Sequence, residues 1–376
     1  MRIRRNEFLC RLLLCVLFLG LLTGCGQGRQ AGAFGDGESA MAEEQTGPVT
    51  SAGEHTHPVE ETQEVEITVE KEKQAEEELS AEETVQPAEE VRKADTGSSD
   101  LPRILCWGDS LTEGTGGGGV TYPDTLAKLS GAEVLNYGVY AELTSCIAAR
   151  QGGNPMHAGA AFTIPAALEP VEIKLENAKG NPEMLLVFGA AGINPCSIGG
   201  VEGTLSIDSE TGTRYFTRST AGEAVAVESR TPMLFHAMLD KREDDILVIF
   251  AGTNDSPDTT GIRDVIAWQR AMIDYAGTEN YVIIGMTRKK YMPQIEEVNQ
   301  LLAKEYGAHF LDVRTYLLEN GLQDAGVTAT KQDQSDLENG EIPASLRSDD
   351  DGHGTGAFYR IIGEQLYKKL LELGYL

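Results

Sequence analysis

Beyond residue 102 the chain alternates between short apolar, β-branched runs and longer stretches with helical period. The clearest run, residues 246–251 (ILVIFA), is apolar throughout, as a strand covered on both faces must be. Residues 103–107, 133–137, 281–286 and 309–313 read as further strands. Residues 122–129, 142–151, 261–276, 293–306 and 358–373 read as helices. The last places Ile361, Ile362, Leu366, Leu370 and Leu371 on one helical face. Such alternation predicts an α/β fold, a five-stranded parallel sheet with helices on both faces in a three-layer α/β/α sandwich. Right-handed crossovers restrict the topologies; if the order is 2-1-3-4-5, the first strand lies between the second and third.

One stretch breaks the rhythm. Residues 152–232 are too long for a crossover loop. They hold five short strand-like runs, at 171–175, 184–188, 203–207, 215–217 and 224–227, separated by Gly, Pro, Asn and Ser. This spacing predicts a small inserted β module. It reads either as a substrate-binding lobe or lid, or as a decorative or oligomer-forming insertion.

The first hundred residues have another character. A basic head (residues 1–5) precedes a short apolar run (residues 12–22) and Leu22-Thr23-Gly24-Cys25. That is the layout of an export signal, too short for a spanning helix. The tetrad resembles the bacterial lipobox. The resemblance implies a lipoprotein signal peptide over residues 1–24, cleavage before Cys25, a lipid on its sulfur and anchorage at the outer face of a cell membrane. The other reading is plain secretion. Residues 25–100 are rich in Glu, Gln, Ala, Gly, Ser and Thr and carry roughly half of the formal charge of −28. Such a segment cannot bury enough surface to offset its ordering entropy, so an extended acidic tether is expected. His55 and His57 within it read as incidental rather than as a metal pair. The acidic balance argues against nucleic acid as a partner. Cys106, Cys146 and Cys196 remain for the body; they allow one disulfide, no framework, and read as small buried hydrophobes.

Four stretches carry chemistry. Gly108-Asp109-Ser110-Leu111 follows the first strand, where open α/β sheets place their ligands, although a serine there also suits a helix cap. Asn136-Tyr137-Gly138-Val139-Tyr140-Ala141-Glu142 follows the second. Gly252-Thr253-Asn254-Asp255 follows the third; an Asn side chain there suits a developing oxyanion, or a turn. Asn254-Asp255-Ser256 also spells a glycosylation sequon, taken as a chance match. Asp350-Asp351-Gly352-His353 precedes the last helix, and among the body's histidines only His353 has an Asp three residues earlier. A general base needs a carboxylate to fix its tautomer. A metal site from Asp349, Asp350, Asp351 and His353 competes, but it lacks a calcium-loop pattern. His157, His236 and His309 lack such company; His157 lies near the insertion boundary and His309 reads as structural.

Together these blocks resemble the SGNH/GDSL hydrolases, a family of serine esterases and acyl hydrolases, from about residue 101 to residue 376. The resemblance implies a flavodoxin-like fold over residues 101–376, with Ser110 as nucleophile and His353 as base. Asp350 is the aligned carboxylate, with Asp349 and Asp351 leaving the register open. It implies an oxyanion hole from the Ser110 amide, the Asn254 side chain and a backbone amide of Gly138 or Ala141. Ala141 stands where the family has a second glycine, so which of the two donates stays open. No metal or organic cofactor is implied. The expected function is hydrolysis of acyl, chiefly acetyl, esters on a carbohydrate or cell-wall polymer at the extracellular side of the membrane. Lipid or lysophospholipid hydrolysis is one alternative. A non-catalytic carbohydrate-binding lipoprotein is another, and an O-acetyltransferase a third.

Overall fold

The computed structural model describes residues 101–350 and 352–376. Residues 1–24, Cys25, His55, His57 and the acidic stretch to residue 100 lie outside the described residues, as does Asp351.

In chain order, β1 (Ile104–Gly108), α1 (Ser110–Glu113), α2 (Tyr122–Ser130), β2 (Val134–Gly138) and α3 (Thr144–Gln151) open the body. Nine short strands follow: β3 (His157–Ala158), β4 (Phe162–Ile164), β5 (Val171–Ile173), β6 (Leu175–Glu176), β7 (Cys196–Ile198), β8 (Val201–Ile207), β9 (Arg214–Arg218), β10 (Val225–Val227) and β11 (Met233–Leu234). Then come α4 (His236–Leu239), β12 (Ile246–Phe250), α5 (Ile262–Ala276), β13 (Tyr281–Ile284), α6 (Ile295–Tyr306), β14 (Phe310–Leu311), α7 (Val313–Asp324), α8 (Lys331–Glu338) and α9 (Gly356–Glu372).

The main sheet is parallel, in the order β2-β1-β12-β13-β14. Its alternate residues face opposite layers. Leu105, Trp107, Leu247, Ile249 and Ile283 pack against Ile147 of α3, Val265 and Met272 of α5, and Val298 and Leu302 of α6. Ile104, Cys106, Ile246, Val248, Phe250 and Val282 face Leu126 of α2, Leu317 of α7, and Ile361, Ile362 and Leu366 of α9. Every residue of β1, β12 and β13 is buried, which is why these strands read as uninterrupted apolar runs.

The predicted fifth strand is cut short. Residues 309–313 supply only the two-residue β14, because Asp312 caps a helix by accepting from the Thr315 N–H at 3.0 Å. Helices α7 and α8 were not read from the sequence.

Between α3 and α4 the nine short strands form a five-stranded antiparallel sheet, β11-β7-β8-β9-β5, and the pairs β10-β4 and β3-β6. Their own core holds Ile173, Leu185, Ile198, Leu205, Phe216 and Val227. Strand β8 (VEGTLSI) alternates buried and solvated side chains, unlike the main sheet. Residues 184–188 (MLLVF) form no strand; Leu186 has φ +69°, which breaks an extended path. Cys106, Cys146 and Cys196 are free and buried. Among the described residues, no helix is long and apolar enough to cross a membrane.

Candidate active site

The site begins where β1 runs into α1. A Cβ on Gly108 would lie 2.1 Å from Thr112 Oγ1 and 2.4 Å from the Phe250 carbonyl. A Cβ on Gly138 would lie 2.0 Å from the Glu113 nitrogen. Both glycines therefore let α1 nest against the strand ends. Asp109 caps α1 through Oδ1, which accepts from the Leu111 N–H at 2.9 Å, and Ser110 is the first helical residue. Gly108 stands in register with Gly138 on one side and Phe250 on the other. The segments bearing Ser110, Ala141 and Asn254 thus leave the same edge of three adjacent strands.

His353 reaches this edge from the loop before α9. That loop is closed by the Ser348 N–H donating to the His353 carbonyl at 2.9 Å and by the Thr355 N–H donating to the Leu346 carbonyl at 2.9 Å. His353 Nε2 lies 2.9 Å from Ser110 Oγ, and its Nδ1 lies 2.5 Å from Asp350 Oδ2. Asp350 Oδ1 accepts from Ser348 Oγ (2.6 Å), the Gly352 N–H (2.9 Å) and the His353 N–H (3.0 Å). Burial alone would raise this carboxyl. The hydrogen bonds from Ser348 and His353, the His353 charge and the Gly352 amide outweigh it and bring the pKa down to about 2. The carboxylate thus stays ionised beside the imidazole, the condition for holding Nδ1–H toward it and leaving Nε2 to accept a proton. Ser348 was not singled out from the sequence; its only signal there is a hydroxyl two residues before the carboxylate.

The oxyanion side is less regular. The Gly138 N–H is already engaged, donating to Asn136 Oδ1 at 2.9 Å, while Asn136 Nδ2 donates to the Thr112 carbonyl at 2.9 Å. The Gly138 N–H thus serves its own turn, and the residue packs α1 against the strand end. The Ala141 and Ser110 amides donate to no carbonyl among the described residues. Ala141 has φ +57°, the left-handed conformation that a glycine adopts without strain, so its dihedrals are not ordinary. Asn254 Nδ2 donates to the Glu142 carbonyl at 2.9 Å, which fixes the amide and leaves its second N–H.

Beneath the site lies a set of buried charges. The Arg150 guanidinium donates to Glu142 Oε2 (2.8 Å), the Tyr137 carbonyl (3.0 Å) and the Ala191 carbonyl (2.7 Å), and stands 5.3 Å over the Trp107 ring. It ties β2, α3 and the inserted region together. Its only signal was a lone charge in a helix of otherwise uncharged residues. Asp255 Oδ2 accepts from Thr144 N (2.9 Å) and Oγ1 (2.7 Å), joining the loop after β12 to α3. Asp109 is fully buried and its Oδ2 has no partner among the described residues. Burial, aided by the Asp255 and Glu142 charges, raises its pKa to about 7. Of the remaining histidines, His309 Nδ1 lies 3.0 Å from the Tyr281 carbonyl, and His157 sits in β3 opposite Glu176. Among the described residues no group of three or more His, Cys, Asp and Glu side chains is placed to hold a metal ion.

No family model matches the sequence, and no curated protein matches it either. Among solved structures, the chain overlaps a "putative lipolytic protein of G-D-S-L family" from Desulfitobacterium hafniense DCB-2. The TM-score is 0.38 at 14% identity, over 71% of this chain and 99% of that one. A likeness this loose carries no argument about activity.

Proposed function

We propose that this chain is a serine hydrolase of acyl esters, of the SGNH/GDSL kind that its four sequence blocks resemble. The observation that carries the reading is the continuous line Ser110 Oγ–His353 Nε2, His353 Nδ1–Asp350 Oδ2. A hydroxyl, an imidazole and an ionised carboxylate at these distances form a nucleophile, its base and the group that orients the base.

His353 takes the Ser110 proton as Oγ attacks the ester carbonyl. The tetrahedral oxyanion is met by the Ser110 and Ala141 amides and the second N–H of Asn254. His353 then protonates the departing alcohol, and water releases the acid from Ser110 by the same route in reverse. The residues need no metal for this sequence of steps. The substrate class we favour is an acetylated carbohydrate or cell-wall polymer. This choice rests on the lipobox-like tetrad at Cys25 and the long acidic stretch after it, which would hold an exported enzyme to a membrane with reach toward an external polymer.

The test is acetate release from p-nitrophenyl acetate and from an acetylated polysaccharide, with Ser110→Ala beside the wild type. Turnover that disappears in the variant supports the reading. A folded wild type inert toward esters of several chain lengths refutes it.

A further inference from the structure

The inserted β region sends one segment back to Tyr140, the aromatic neighbour of His353. Phe188 stands edge-on to Tyr140, with ring centroids 5.8 Å apart, and Tyr140 lies 5.8 Å from the His353 ring. Both aromatic side chains are half-buried, and Val187 beside them is exposed. The segment bearing Phe188 is held from both ends. Arg214 Nη2 donates to the Glu183 carbonyl (2.8 Å) and the Leu185 carbonyl (3.1 Å), and Arg150 holds Ala191 from below. The Glu183 carboxylate accepts from Ser145 Oγ of α3 (2.9 Å) and from Asn154 Nδ2 just after it (2.8 Å). Between these clamps Leu186 is kept at φ +69°, a conformation costly for a branched side chain. A strained, doubly anchored segment whose aromatic ring packs on Tyr140, the neighbour of the base, is preorganised for contact with a ligand.

We propose that Tyr140 and Phe188 form the subsite for the alcohol part of the ester, and that its occupant is a pyranose ring. The inference rests on the hydrolase reading above. His353 Nε2 must deliver its proton to the departing oxygen, so the alcohol lies on the imidazole side, where Tyr140 stands with Phe188 next to it. An aromatic face carries negative charge and packs against polarised C–H groups, which a pyranose presents as a flat array and a short alkyl chain does not.

The experiment compares two acetyl esters that differ only in the alcohol, an O-acetylated methyl glucopyranoside and ethyl acetate. They are assayed on the full chain and on Phe188→Ala and Phe188→Leu; the leucine keeps apolar bulk and removes the ring face. kcat/KM for the sugar ester should fall about tenfold in both variants, well beyond any fall for ethyl acetate. Equal losses on both esters would make Phe188 a structural residue and overturn the subsite, as would no loss on either. A wild type inert toward both esters, and toward p-nitrophenyl acetate, overturns the hydrolase reading and this inference with it.

Discussion

The two sides of the candidate site are built differently. On the nucleophile side, the base and its carboxylate lie three residues apart in one closed loop, and Asp350 receives three hydrogen bonds from that same loop. On the oxyanion side, the Ala141 and Ser110 amides and the Asn254 side chain come from the ends of three separate strands. One of them, Ala141, sits at a positive φ, and another, Asn254, is held by the carbonyl of Glu142. The first side is fixed by local chain geometry. The second depends on the register of the sheet, on the glycines that let α1 approach, and on the Arg150 clamp beneath.

The largest effect short of removing the nucleophile should come from the local side. Asp350→Asn keeps the shape but lets the imidazole take the wrong tautomer, and kcat should fall about 10⁴-fold. Steady-state kinetics on p-nitrophenyl acetate would read it. A small loss would mean that Asp350 is not the orienting carboxylate. Asn254→Ala removes one donor from the other side and should cost roughly 10²–10³-fold in kcat, about 3–4 kcal/mol of barrier, with KM little changed. A rise in KM alone would indicate ground-state binding instead.

Asp109 lies under both sides and links them to pH. Burial raises its carboxyl to about 7, so between pH ~4 and ~7 it is protonated in the folded chain and ionised in the unfolded one. Its contribution to stability is fully present below pH ~4 and is lost as pH rises through 7, by roughly 4 kcal/mol. Urea midpoints measured from pH 5 to pH 8 should therefore fall in the wild type and stay flatter in Asp109→Asn. Asp350 has the opposite sign, since its pKa lies below the usual carboxylate value. It stabilises above pH ~4 and that contribution fades as pH drops through about 2. The smallest effect is expected from Ala141→Gly. Relief of the left-handed strain and the added freedom of the unfolded chain nearly offset, leaving stability within about 1 kcal/mol. A loss well beyond that would mean that the Ala141 methyl packs rather than strains.

The same contrast decides what the sequence could reveal. Strands β1 and β12 were legible because a strand covered by helices on both faces is apolar at every position. Asp350 and His353 were legible because three residues of spacing brought them together. Residues 184–188 deceived because an apolar run carries no sign of the φ at Leu186. Asp312 and Val313 misled because a capping carboxylate beside a valine resembles a strand end. The engagement of the Gly138 amide by Asn136 was invisible, since a side chain folding back on its own turn leaves no periodic trace. Arg150 and Ser348 act through atoms whose partners are distant carbonyls or a single oxygen, and no spacing rule marks those.

The most direct measurement is reaction with a fluorophosphonate followed by peptide mass analysis, on the wild type and on His353→Ala. The account predicts a single adduct on the peptide holding Ser110, formed quickly in the wild type and slowly without His353. Ester hydrolysis that persists while Ser110 stays unmodified, or an adduct formed equally fast without His353, would contradict it.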